Sequence, residues 1–229
     1  MNNVIADFKI GDVNGDKIPD YIYLTGKKEI DSNFIYNLKL TVKDGFSGKC
    51  NIYPLEFDGG YNPQIFLGDF NNMNVNDIFL SIPTGGSGGY IYYYLFSYLN
   101  NNLFPLFDDK KFNKGLNFDI NYENNYKVRV SNDSLDKTFI IDVSNKKDLY
   151  EELNIYDDNG MLIKPTKGTI LYLGGLFPIQ YSLDNSFELL AKQRIIGISN
   201  ADTLGYVNSL WKYKDKKMHL LDVTISILG

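Results

Sequence analysis

Residues 12–20 of this 229-residue chain place oxygen-bearing side chains at alternate positions of a short loop. Within Gly11-Asp12-Val13-Asn14-Gly15-Asp16-Lys17-Ile18-Pro19-Asp20, positions 1, 3, 5 and 9 are Asp12, Asn14, Asp16 and Asp20. Calcium takes about 6–8 oxygen ligands, and alternate side chains plus a backbone carbonyl supply them from one loop. The carbonyl here would be that of Ile18, at position 7, with its side chain packed on the core. Three carboxylates and an amide suit Ca2+ better than magnesium, whose octahedral geometry is stricter. Asn14-Gly15 eases the sharp turn and Pro19 stiffens the exit. The predicted metal set is therefore Asp12, Asn14, Asp16, Ile18 and Asp20. It departs from the EF-hand loop, which has Gly at position 6 and Glu at position 12, where this chain has Lys17 and Tyr23. The same residues also read as a solvated Asp/Asn turn that holds no ion.

A weaker copy runs from Gly68 to Asp77, with Asp69, Asn71, Val75 and Asp77 at the equivalent positions. Met73 falls at position 5, and a thioether is too soft a ligand for calcium. A third, eroded copy starts at Gln180, with Ser182, Asp184 and Glu188. The spacing leaves room for a skipped unit near residue 126, where a hairpin begins without an acidic loop.

Short runs rich in Ile, Val, Tyr and Phe alternate with Gly, Asn and Asp clusters and must position these loops. Hairpins are predicted around residues 44–48, 131–136, 157–160 and 214–217. One short helix is predicted over residues 145–153, with Asn145 as its cap. The expected fold class is all-β, a propeller-like array of about four four-stranded units over residues 1–60, 61–118, 119–170 and 171–229 of a single domain. An irregular β-sandwich with duplicated loops is the alternative.

The aromatic content of 15% is that of a globular β protein rather than a disordered chain. A net charge of −5 argues against a broad nucleic-acid surface. The single cysteine, Cys50, excludes an intrachain disulfide and reads as a small apolar strand residue. One histidine, His219, cannot build a zinc site. No apolar run approaches the ~20 residues of a membrane span. Met1 leads straight into strand-like sequence without a signal-peptide pattern, so the chain is either retained in the cell or the mature part of an exported protein.

The acidic loop Asp12-Val13-Asn14-Gly15-Asp16 with Asp20 resembles the calcium loop of the FG-GAP/VCBS repeat family, the repeats of integrin α-subunit propellers. The second copy departs from it at Met73 and the third at Gln180 and Ser182, and Lys17 stands where the family often has Gly. The likeness extends over the whole chain to bacterial VCBS repeat-containing proteins. It implies a calcium-stabilised scaffold, commonly secreted or on the cell surface, that binds a protein or carbohydrate.

Other motifs carry less chemistry. The run Thr84-Gly85-Gly86-Ser87-Gly88-Gly89 leads into a strand, whereas a phosphate loop needs Gly-Lys-Ser/Thr leading into a helix. The tyrosines of residues 90–98 could stack on sugars or peptides but read first as core and inter-blade packing. His219 has no serine elbow, and Glu151 and Glu152, adjacent in sequence, cannot face each other across a sugar. No catalytic set is expected. The functional expectation is a non-enzymatic, calcium-stabilised binding or surface-associated module. The alternatives are a carbohydrate-active hydrolase or a structural envelope or coat protein.

Overall fold

The computed structural model describes residues 1–86 and 89–227. Period-two alternation of apolar residues produces strands throughout. The first sheet comprises β1 (Asn2–Gly11), β2 (Asp20–Lys28), β3 (Phe34–Lys43) and β4 (Cys50–Pro54) in that order, with β5 (Gly60–Tyr61) paired to β3. The second runs β6 (Gln64–Gly68), β7 (Asp77–Pro83), β8 (Ile91–Ser97), β9 (Phe104–Pro105). The third contains β10 (Asp119–Glu123), β11 (Lys127–Asn132) and β12 (Lys137–Asp142). The fourth contains β13 (Thr169–Ile179), β14 (Glu188–Ile196), β15 (Thr203–Lys214) and β16 (Lys217–Ser226).

The protein is thus all-β, with four antiparallel sheets. In chain order the sheets have five, four, three and four strands, not four in each. The expected short helix is α2 (Lys147–Glu152); a second one, α1 (Asp109–Gly115), was not expected. Of the Gly-rich run, residues 87 and 88 lie outside the described residues.

The chain divides into two compact units. One consists of Met1–Asp109, Gly175–Leu190 and Leu210–Leu221. Its main core cluster is built from alternate residues of two sheets, Ile22 and Leu24 on β2, Leu40 and Val42 on β3, and Ile78, Leu80 and Ile82 on β7. Fully burying each such side chain contributes about 1.5–3 kcal/mol. Strand β7 is covered on both faces, because Phe79 packs on the opposite side against Phe70 and Tyr93. The acidic loops close at one register, with Gly11 opposite Asp20 and Gly68 opposite Asp77.

The other unit consists of Lys110–Gly174, Ala191–Ser209 and Asp222–Gly229. Ile120, Tyr122, Val128, Val130 and Ile141 of the third sheet are buried. Helix α2 buries Tyr150, whose hydroxyl lies 2.8 Å from Asp202 Oδ2 and 3.0 Å from Oδ1. Lys146 Nζ reaches the same carboxylate at 2.6 Å, and Tyr122 at 3.2 Å. A buried charge with this many donors is held rather than stranded.

Candidate functional site

The three acidic loops share one construction, and its centre is the acidic residue that opens the following strand. Asp20 begins β2, Asp77 begins β7 and Glu188 begins β14. All three are almost wholly enclosed. Each carboxylate accepts backbone N–H groups from six or seven residues upstream. Asp20 Oδ2 accepts from Val13 at 3.1 Å. Asp77 Oδ2 accepts from Phe70 at 2.9 Å and Asn71 at 3.1 Å. Glu188 Oε2 accepts from Tyr181 at 2.9 Å and Ser182 at 3.3 Å. Each such hydrogen bond contributes about 0.5–3 kcal/mol, the upper part of that range where the acceptor is charged, so these carboxyl groups hold the loops shut.

The remaining loop oxygens also receive backbone donors. Asp12 Oδ1 accepts from Gly15 at 2.7 Å and Oδ2 from Lys17 at 3.0 Å. Asp16 Oδ1 accepts from Ile18 at 2.7 Å, and Asn14 Oδ1 from Asp16 at 2.9 Å. In the second loop Asp69 accepts from Met73 and Asn74 at 3.1 and 2.7 Å. The Asn14 and Asp16 contacts, two residues on, are Asx turns, the local bonding that Asp and Asn favour over regular structure; those of Asp12 and Asp69 reach three to five residues on.

What neutralises the acidic groups differs from loop to loop. In the first, the Asn14 amide nitrogen points at Asp44 Oδ2 at 2.9 Å and, more distantly, at Asp16 Oδ2 and Asn101 Oδ1, both at 3.4 Å. A hydrogen-bond donor therefore lies among those oxygens. In the second, Asn71 Nδ2 donates to Asp77 Oδ1 at 3.0 Å. In the third, Lys212 Nζ lies 2.6 Å from Asp184 Oδ2 and 3.1 Å from Glu188 Oε1. The ammonium takes the central position.

Of the residues expected to bind calcium, the Asp and Asn side chains of both sets, Asp12, Asn14, Asp16 and Asp20 and then Asp69, Asn71 and Asp77, accept these backbone donors, with Ile18 and Val75 between them in the chain. Among the described residues, no group of three or more His, Cys, Asp or Glu side chains is placed to hold a metal ion. Ile18 departs from its expected place, since its side chain is exposed while Val13 is the residue that enters the core. Lys17 adopts φ 68°, a left-handed conformation better suited to Gly. Gly45 is required where it stands, because a Cβ there would meet the Pro19 carbonyl oxygen at 2.0 Å, and its N–H donates to Asp20 Oδ1 at 2.9 Å.

The electrostatics follow from this geometry. Burial raises the Asp20 carboxyl above its ordinary value, the N–H groups of Gly45 and Val13 oppose the rise, and the charges of Asp16 and Asp44 add to it. Burial pushes Asp77 up to about 7 against its N–H donors. Burial also acts on Glu188, but Ser182, Tyr181 and Lys212 outweigh it and hold the carboxyl below the usual range. Burial would lower Lys212; its contacts with Asp184 and Glu188 raise it instead.

The second and third loops border a groove of about 1070 Å³ in the first unit. Met73, Phe104, Leu106, Tyr213 and Leu221 form much of its apolar wall. Met73, Phe104 and Leu221 are 54%, 56% and 46% exposed, which is unusual for large apolar side chains gathered in one place. Lys212, Lys214 and Lys216 line the groove, the last two at the β15–β16 turn. Met73 thus has a place that its mismatch with a calcium loop left unexplained. Lys212 was passed over in the sequence as a strand residue; the available signal was a lone cation within Ser209-Leu210-Trp211-Lys212-Tyr213. Asp44 was read only as a turn residue.

The other residues noted in the sequence do not line this groove. His219 is partly buried, with its Nε2 3.0 Å from the Lys214 carbonyl. Cys50 is exposed at the start of β4, not packed as a small apolar residue. Tyr93 is buried, and the Tyr94 hydroxyl accepts the Phe57 N–H at 2.8 Å, in keeping with the packing expected of that run. Among the described residues, no helix is long and apolar enough to cross a membrane.

Comparison with known proteins places the sequence. The model of the YybI C-terminal domain family matches residues 116–226. Uncharacterized protein YybI of Bacillus subtilis (strain 168) is 37% identical over 220 residues, covering 96% of this chain and 83% of that protein. No solved structure matches. These matches overturn the expected membership of the FG-GAP/VCBS repeat family, whose loop pattern is met here by turns that close on the chain's own donors. With 37% identity across nearly its whole length, the chain belongs to the YybI family.

Proposed function

We propose that the chain is a non-enzymatic binding module whose binding face is the groove of the first unit. The observation that carries this reading is the convergence of exposed Met73, Phe104 and Leu221 on one concave surface. Leaving such side chains in water is unfavourable by about 25 cal/mol per Å² of apolar area, and a partner that covers them recovers it. The acidic residues nearby have structural work. Asp184 and Glu188 share Lys212, and Glu188 has no exposure. A hydrolytic carboxyl pair must straddle a sugar about 5–10 Å apart, and an enclosed Glu188 does not reach one.

The test is affinity recovery from a surface extract of the producing cells, with wild-type protein and Leu221→Asp immobilised side by side. A specific partner retained by wild type and lost by the variant supports the reading. Equal recovery by both, or turnover of a chromogenic glycoside by the wild type, removes it.

A further inference from the structure

We infer that this groove receives an extended protein segment in which acidic side chains alternate with bulky apolar ones. The inference rests on the binding-module reading and adds the chemistry of the partner. Three independent features lead to it. The first is shape. Phe104 belongs to β9, the last strand of the second sheet, and Leu221 to β16, the last strand of the fourth. β16, a ten-residue edge strand, offers backbone N–H and C=O groups of the kind an extended segment uses when it adds to a sheet, and β9, two residues ending in Pro105, contributes apolar wall.

The second is charge. Lys212 is neutralised from within by Asp184 and Glu188, but Lys214 and Lys216 have no ion pair among the described residues. The segment from 212 to 217 carries four lysines and one aspartate on a chain whose net charge is −5. Carboxylates flanking an apolar anchor would meet this rim, whereas a basic segment would be repelled.

The third is conformation. Asp215 and Lys216 both lie in the left-handed region, at φ 51° and 63°. Two-residue hairpins of this geometry favour Asn-Gly or Asp-Gly, because only small residues enter it without cost. Lys216 keeps a cation on the groove lining in a position where Gly would hold the turn better.

The probe is a fluorescein-labelled octapeptide of alternating leucine and glutamate, titrated with the whole protein and followed by anisotropy. Two further peptides replace glutamate with lysine or leucine with serine. Wild type should bind the leucine–glutamate peptide saturably and at least tenfold more tightly than either control. The double variant Lys214→Glu/Lys216→Glu should weaken binding at least tenfold with an unchanged melting temperature. Lys216→Gly should raise the melting temperature yet weaken binding several-fold. No saturable binding, equal affinity for the lysine peptide, or undiminished binding by the double variant would overturn the inference. So would a dimer of the protein that Leu221→Asp disperses, which would assign the groove to a second copy. Loss of peptide binding with retention of a Leu221-dependent natural partner refutes the acidic segment alone; loss of both refutes the binding module as well.

Discussion

The backbone N–H of Phe187 donates to the Asp69 carbonyl at 2.7 Å, repeating the 3.1 Å bond from Asn76 to Asp12. In each case the eighth residue of the later loop meets the carbonyl of the first residue in the earlier one. Asn76 reinforces its bond through Nδ2, also at 3.1 Å from the Asp12 oxygen. The three loops are therefore linked in series, and each is closed by the enclosed carboxylate one residue beyond its donor: Asp77 follows Asn76 and Glu188 follows Phe187. This coupling makes the neutralising groups inside the loops matter to the whole first unit.

Lys212→Met should destabilise the protein by about 3–5 kcal/mol, because it strands an enclosed Glu188 without its cation. The lowered Glu188 carboxyl gives wild type a stability that is present above the ordinary glutamate value and lost as pH falls. The deficit of the variant should accordingly shrink toward pH 4. Urea unfolding at pH 7.5 and pH 4 measures both, and a deficit that does not change between them would contradict the assignment.

Asp77→Asn should change how stability depends on pH. The wild-type carboxyl titrates near 7 in the folded protein against an ordinary value of 3.8. Its neutral form is favoured by folding, so this contribution is complete below about pH 4 and is lost as pH rises through 7. The asparagine stays neutral and can still accept N–H bonds through its oxygen. The variant should therefore gain on wild type between pH 4 and pH 8, by up to roughly 4 kcal/mol. Parallel stability curves across that range would count against it.

Much of the fold was legible because strands advertise themselves by period-two patterning, as in Leu38-Lys39-Leu40-Thr41-Val42 with its buried Leu and Val. The loop repeat was legible in the spacing of Asp20, Asp77 and Glu188. The direction of the amides was not. A sequence cannot show that the Asn14 amide nitrogen is directed at Asp44, 30 residues away in the chain. The role of Lys212 depends on a contact 24 and 28 residues distant in the chain, beyond any local pattern. Helix α1 was missed because its seven residues carry three lysines and too few apolar positions to register a helical period.

Tyr150→Phe should cost the second unit about 1.5–3 kcal/mol, the worth of a hydrogen bond to a charged acceptor. Tyr122→Phe should cost less, since its hydroxyl lies farther from Asp202 at 3.2 Å and Lys146 remains in place. Denaturant midpoints of the two variants test the order, and the reverse order would show that Tyr122 rather than Tyr150 anchors Asp202.

The most direct measurement of whether the acidic loops close on the protein's own donors is the melting temperature of wild type in millimolar EDTA and in millimolar calcium. A bound ion would stabilise by about 2.7 kcal/mol at a hundredfold excess over its dissociation constant. Closure by Asn14, Asn71 and Lys212 predicts the same melting temperature in both. A rise of several degrees in calcium that Asp16→Ala abolishes would contradict it.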